Sequence, residues 1–172
     1  MNFNMFETSA TLADLFAALS SAQAELSNVH KTAENTFFSN NSKKAMYATL
    51  DDALDIIRPV LGKHGLALIQ NPVSIPREAP IQQQFGMWVG KAQERREIVV
   101  TYHQTHDHYL VTTLVHSSGQ FQRSASLLNP NVDAYGRVTP QALGSAITYS
   151  RRYDAMAALG IAAADDDDGA AG

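Results

Sequence analysis

The chain has 172 residues, of which 45% are hydrophobic and none is cysteine. This length is enough for one domain with a substantial core, and the absence of thiols excludes disulfides, thiolate zinc sites and cysteine nucleophiles. No apolar run approaches the ~18 residues of a membrane span, and acidic residues precede the first lysine, unlike in a signal or transit peptide. The sequence therefore predicts a cytoplasmic, non-membrane protein.

The formal net charge of −4 hides an uneven distribution. Four of the 17 acidic residues are Asp165 to Asp168, so the rest of the chain has 13 acidic and 13 basic residues. We expect one domain over residues 1–164 and an acidic tail over 165–172. The tail is interpreted either as a solvated end or as a segment that competes with nucleic acid for a basic groove.

Two helices are predicted in the first half of the chain. Thr11, with Asp14 three residues later, indicates the capped start of the first helix. Thr49 and Asp52 repeat that pattern for the second, which Pro59 should kink and Gly65 should end. The segment 31–46 between them lacks apolar periodicity and is predicted to be a loop.

The second half is predicted to contain strands and a final helix. A short strand is expected at 66–70, followed over 71–94 by an exposed connection or a hairpin tip that contains three prolines. Strands are then expected at 97–103, 109–116 and 120–127, joined by short polar segments into an antiparallel meander. Thr139 and Pro140 have the residue types of a helix start. This order predicts an α+β domain with helices packed on one face of the sheet.

The stretch GSAITYSRRYDA, residues 144–155, lies in the predicted final helix. A helical wheel places Ser145, Thr148 and Arg152 in one polar stripe, with Gly144 and Arg151 along its edge. Small residues beside arginines would let an anionic polymer approach the helix closely. The alternative is an ordinary solvated face. The same wheel turns Tyr149 and Tyr153 towards the sheet, which predicts that they are packed.

The string P-Q-x-x-G-S-A-x-T-Y-x-R-R-Y, from Pro140 to Tyr153, resembles the signature of the ERF (essential recombination function) family. These are phage and prophage single-strand annealing proteins. Further segments agree in order and spacing, so that the resemblance covers about residues 12–169: AQAEL (22–26), YATLDD (47–52), IRPVLGKHGLALIQ (57–70), LVTTLVHSSG (110–119) and DDDDG (165–169).

The resemblance implies DNA recombination by ATP-independent binding of single-stranded DNA and annealing of complementary strands. It also implies a β-β-β-α core and a homo-oligomer, either a ring or a helical filament. No cofactor, metal or bond chemistry is implied, so the protein is expected not to be an enzyme. A host or phage single-strand-binding protein is an expected partner. By this resemblance Arg151 and Arg152 are the first candidates for phosphate contacts, with Gly144, Ser145 and Thr148 as the surface that DNA approaches.

Other basic residues extend the candidate site. Lys43, Lys44 and Tyr47 combine cations with an aromatic ring, the combination that holds single strands by charge and stacking. Arg123, placed on the third strand beside the final helix, would lengthen the groove, as would Arg95 and Arg96 from a hairpin.

Two enzyme-like patterns compete with this interpretation. His103, His106, Asp107 and His108 suggest a metal-dependent hydrolase, although their spacing matches neither the H-E-x-x-H helix pair nor the dinuclear hydrolase pattern H-x-H-x-D-H. GMWVGKA at 86–92 has three residues between its glycines instead of four, and alanine where a phosphate loop has Ser or Thr. A passive single-strand-coating protein is the remaining alternative.

Overall fold

Three helices lie on one face of a four-stranded antiparallel sheet in the computed structural model, which describes residues 4–34, 46–91, 96–133 and 137–163. This confirms the predicted α+β class. The elements, in chain order, are β1 (Phe6–Thr8), α1 (Ala13–Glu25), β2 (Ala33–Glu34), β3 (Met46–Tyr47), α2 (Leu50–Lys63), β4 (Leu66–Val89), β5 (Arg96–His116), β6 (Phe121–Leu127) and α3 (Pro140–Leu159).

The sheet has the order β1-β6-β5-β4, and β2 pairs separately with β3. Strands β4 and β5 form a long hairpin, with 24 and 21 residues, whose register runs from Leu66 opposite His116 to Val89 opposite Arg96. Strand β6 then pairs with β5, and α3 follows, so the β-β-β-α order implied by the resemblance is present.

Two sequence predictions in this region are wrong. The segment 71–94 is not an exposed connection, because most of it belongs to β4. The alternative prediction of a hairpin holds for its end, since β4 and β5 form a hairpin that closes beyond Val89. The strands predicted at 97–103 and 109–116 are one continuous strand, in which the polar segment between them pairs with Ser74, Ile75 and Pro76. The prolines are compatible with β4 because it is an edge strand, the position in a sheet where prolines are found, and Pro80 lies within the register shift between Pro76 and Ile81.

Helix α1 does not begin with a cap from Thr11. Its N-cap position is Leu12, which provides no side-chain hydrogen bond. The cap comes instead from Gln120, just before β6, whose Oε1 accepts from the backbone N–H groups of Asp14 at 3.0 Å and Leu15 at 3.1 Å. The Nε2 of Gln120 donates to Asp14 Oδ2 at 2.7 Å, so the acid expected in a local capping box bonds instead to the residue that precedes β6.

Helix α2 begins as the sequence predicts. Thr49 Oγ1 accepts from the backbone N–H of Asp52 at 3.1 Å, and Asp52 Oδ2 accepts from the backbone N–H of Thr49 at 2.7 Å. Hydrogen bonds from the Thr32 hydroxyl and from Thr49 lower the pKa of Asp52. The helix continues through Pro59 to Lys63, and Gly65 follows with the left-handed φ of 66° that favours glycine.

The core explains why part of α3 remains accessible. Buried residues from all three helices and from β4 and β5 form one cluster, to which α3 contributes Ala155, Met156 and Leu159. All three belong to the C-terminal half of α3, which ends at the left-handed Gly160. The first half of α3 therefore lies at the surface. Within the described ranges, no helix is both long and apolar enough to cross a membrane.

Candidate nucleic-acid interface

The first half of α3 contains several of the site residues that were predicted from the sequence. Thr139 caps the helix as predicted, accepting from the backbone N–H of Ala142 at 3.1 Å, and Pro140 is at its start. Gly144, Ser145 and Thr148 are all exposed. A Cβ added to Gly144 would meet no atom within 4 Å, so the described part of the chain gives no steric reason for a glycine at this position.

Tyr149 and Tyr153 are exposed, which corrects the prediction that they pack against the sheet. Their exposed fractions are 59% and 44%, and their ring centroids lie 4.5 Å apart. The direction of the helix explains the error. Ala155 is fully buried, and Tyr153, two residues earlier, is displaced by about 200° around the helix axis. The tyrosines therefore point away from the core.

The guanidinium of Arg152 lies close to these two tyrosines and to a third, Tyr47. Its guanidinium carbon lies 4.8 Å from the ring centroid of Tyr153, 5.4 Å from that of Tyr149 and 5.2 Å from that of Tyr47 on β3. Arg152 Nη1 also donates to the backbone carbonyl of Ala48. We refer to Arg152, Tyr47, Tyr149 and Tyr153 as the arginine–tyrosine cluster.

The cluster has the chemistry of a single-strand binding surface. Cation–π attraction holds the guanidinium beside the rings, and that group retains donors for anionic oxygens. Tyr47 is 39% exposed, so all three rings can be reached from solvent. No ion pair involves Arg152 in the part of the chain that the structure describes. The cluster therefore combines aromatic surface with a positive charge that has no ion-pair partner among the described residues.

Arg151 has different surroundings from its neighbour. Its Nε donates to Gln70 Oε1 at 3.4 Å, while Gln70 Nε2 donates to the Arg151 backbone carbonyl at 3.0 Å and to Thr112 Oγ1 at 3.3 Å. Arg151 also lines a recess of about 260 Å³ between α2, β4 and α3, together with Arg58. Adjacent in sequence, the two arginines thus contact different elements.

Arg123 lies on the sheet face opposite the helices, not beside α3 as the predicted topology had it. Its Nη1 pairs with Glu7 Oε2 at 3.0 Å and its Nε donates to Thr113 Oγ1 at 3.1 Å. Thr112, the residue before Thr113, bonds to Gln70 on the helix side. Because alternate residues of a strand point to opposite faces, Thr113 and Arg123 point away from α3.

Four other predicted site residues are not placed by the structure. Lys43, Lys44 and Arg95 lie outside the described residues, as does the tail from Asp165 to Asp168. Arg96 is the first residue of β5, but its side chain is outside the description. Of the basic residues predicted for the site, the structure brings Arg152 together with Tyr47 and separates Arg123 from them.

The histidine-rich segment is part of β5. Asp107 pairs with Arg77 of β4, His108 Nδ1 lies 2.7 Å from Ser74 Oγ, and His106 Nδ1 lies 2.9 Å from Thr105 Oγ1. The side chain of His103 is outside the description. No three potential metal-ligating side chains come together among the described residues.

Asp154 is a half-buried carboxylate between α3 and the sheet. Burial raises its pKa, and hydrogen bonds from Ser126 and Thr112 offset part of that effect. Its Oδ2 is buried and has no hydrogen-bond partner in the described structure. Asp154, which follows Tyr153 in the chain, therefore resists ionisation.

Sequence reasoning found Arg152 and Tyr47 but missed the other two members of the cluster. The available signal was the spacing of Tyr149 and Tyr153, four residues apart on a helix and flanking Arg152. The wheel could not use it, because the direction of the core was unknown.

The chain was compared with models of protein families. The model described as ERF superfamily matches residues 15–172, nearly the whole chain. The chain belongs to the ERF superfamily. Membership supports a function in phage-type recombination and strand annealing in general terms. The searches of curated proteins and of solved structures gave no match.

Proposed function

We propose that this ERF superfamily protein binds single-stranded DNA and anneals complementary strands without ATP or another cofactor. It acts as a homo-oligomer, a ring or a helical filament, in the cytosol of a bacterium that carries the phage or prophage. Annealing needs no bond chemistry. Cations offset the repulsion between two phosphate backbones, and an extended strand presents its bases to a complement.

The observation that carries this proposal is the arginine–tyrosine cluster. Three exposed rings lie within 5.4 Å of one guanidinium carbon that has no described ion-pair partner. Aromatic rings stack on any base, and a guanidinium binds phosphate through its donor fork, so the combination suits binding without sequence preference. A cluster serving only the fold would be expected to bury its rings, whereas 59% of Tyr149 is exposed.

The small residues of α3 support close approach by a strand. Gly144, Ser145 and Thr148 are exposed on the turns that precede Arg152. Thr148 Oγ1 donates to the Gly144 carbonyl at 3.0 Å, so its hydroxyl oxygen is still able to accept another hydrogen bond. The helix backbone is thus unobstructed beside the cluster.

The remaining predicted contacts are assigned secondary roles. Lys43 and Lys44 precede Tyr47 in the chain and would add charge beside the cluster. Arg95 and Arg96 would add charge from the β4–β5 hairpin. Arg123 faces the opposite side of the sheet, so its contact with DNA would require a second surface or a neighbouring subunit. Arg151 would contribute from the edge of the groove or reach a neighbouring subunit.

Annealing of two complementary oligonucleotides tests the proposal. The protein is added with and without a chelator, in the absence of nucleotide, and duplex formation is followed by fluorescence quenching. Acceleration that resists the chelator supports the proposal. Strand cleavage that the chelator abolishes would instead indicate the metal-dependent hydrolase, and strand protection without acceleration would indicate a passive coating protein.

A further inference from the structure

A groove continues from the arginine–tyrosine cluster along the first half of α3. It has a volume of about 750 Å³ and lies between α3 and the segment that follows β6. Its α3 side includes Ala142, Ser145, Ala146 and Tyr149, and its other side includes Leu127 at the end of β6. The volume falls within the range of about 300–1,000 Å³ that is typical of small-ligand sites.

The polar groups of this groove are all neutral. Asn129, Asn131 and Gln141, which have side-chain amides, are among the residues that line it, and none of the described lining residues is charged. Each amide has one acceptor oxygen and two donor hydrogens, the groups that pair with the edges of nucleobases. A phosphate would contact no cation among the described lining residues, whereas an uncharged aromatic ring could contact the apolar residues of the groove and its amide-bearing residues.

The groove is continuous with the proposed phosphate contact. Tyr149 lines the groove and also lies 5.4 Å from the Arg152 guanidinium carbon. Ser145 and Arg152 are seven residues apart on α3, which is about 10 Å along the helix axis. A few nucleotides of a single strand span that distance. One strand can therefore contact Arg152 with a phosphate and enter the groove with a base.

We infer that this groove binds a nucleobase of the single strand whose backbone contacts Arg152. The inference rests on the proposed function and adds that different parts of α3 bind different parts of the strand. The cluster binds charge and stacks, and the groove holds a base and so fixes the position of the strand on each subunit.

Fluorescence anisotropy with two labelled 30-mers tests this assignment. One is oligothymidylate, and the other has the same number of phosphates but an abasic sugar at every position. Wild-type protein should bind oligothymidylate at least about tenfold more tightly than the abasic strand, because the abasic strand can make neither stacking nor base-edge interactions. Ala146→Leu, which fills the groove, should weaken binding of oligothymidylate about fivefold and leave binding of the abasic strand unchanged.

Two further variants make the result specific. Ala142→Leu fills the same groove from another position, in case Ala146→Leu does not fold. Ala24→Leu makes the same change at an exposed site on α1, outside the groove, and should bind both strands like the wild type.

Unchanged oligothymidylate binding by both filled variants would overturn the groove assignment alone. Equal wild-type affinity for the two strands would overturn the groove assignment and also contradict base stacking on the tyrosines of the cluster. Failure of the wild type to bind either strand would overturn the proposed function, and the groove assignment with it.

Discussion

At the level of single residues, substitutions of Tyr149 and Tyr153 can separate an effect on stability from an effect on single-strand binding. Their exposed rings contribute little to the core, so replacement by alanine should change stability by no more than about 0.5 kcal/mol. The same replacement should weaken single-strand binding by about 1–3 kcal/mol for each stacked base. Tyr149→Phe and Tyr153→Phe keep the ring and should bind like the wild type. Loss of affinity in the phenylalanine variants would contradict stacking as the role of these rings.

Asp154 provides a pH-dependent test at the same scale. Burial raises the pKa of Asp154 in the folded protein above the ordinary value of 3.8. The protonated carboxyl therefore stabilises the fold most at a pH below 3.8, and this contribution is lost as the pH rises through the folded-state pKa. Asp154→Asn should therefore be more stable than the wild type at pH 7, and the difference should shrink as the pH is lowered towards 4. Thermal unfolding measured across this range checks the prediction.

Asp55→Asn, at an exposed position of α2, controls for the loss of one carboxylate. A difference between wild type and Asp154→Asn that stayed constant from pH 4 to pH 7 would show that burial of the charge has no effect on stability.

At the level of elements, the start of α1 depends on a residue that is distant in the chain. The amide of Gln120 accepts hydrogen bonds from two backbone N–H groups in the first turn of α1. Gln120→Ala should therefore cost about 0.5–2 kcal/mol, as removal of an N-cap does. Thr11→Ala should be nearly neutral, because Thr11 supplies no side-chain cap. Chemical denaturation of both variants measures the two costs, and the reverse order would contradict the structure.

The elements that the sequence predicted well are those with local signals. The capping box of Thr49 and Asp52 and the Thr139–Pro140 start of α3 depend only on neighbouring residues, and both are confirmed. Prediction failed where the partner is distant in the chain. Pro72 and Pro76 suggest a loop until β4 is known to be an edge strand, and Thr11 looks like a cap until Gln120 is found to occupy that role.

The candidate site was predictable to a similar extent. Arg152 and Tyr47 could be selected by residue type and motif, because arginine and aromatic residues are typical of single-strand sites. The exposure of Tyr149 depends on which side of α3 the core occupies, and this is set by Ala155 and Leu159 against the sheet. No local pattern specifies that direction.

At the scale of the whole molecule, a net charge of −4 does not prevent DNA binding if the cations converge locally. Binding should be insensitive to base sequence, and the logarithm of the affinity should fall linearly with the logarithm of the salt concentration, because phosphate contacts release counterions. Arg152→Ala should reduce the slope by about 0.7 for each phosphate of a single strand that the variant no longer binds. Affinity that is unchanged over a tenfold range of salt would contradict phosphate binding.

The most direct test of the arginine–tyrosine cluster as the DNA site is a single-strand binding titration of Arg152→Ala and Arg151→Ala, with Arg58→Ala as a control of equal charge. Arg152→Ala should be the more harmful single change, because Arg152 lies at the centre of the cluster. Arg151→Ala should mainly reduce stability, by about 0.5–1.5 kcal/mol, because it removes the hydrogen bond to Gln70.

The double variant should largely lose single-strand binding while remaining folded, as shown by circular dichroism and by its size in solution. The effect is amplified in an oligomer, since one strand crosses many subunits. If the double variant keeps both its assembly and its affinity, or if Arg58→Ala is as harmful as Arg152→Ala, the cluster is not the DNA site.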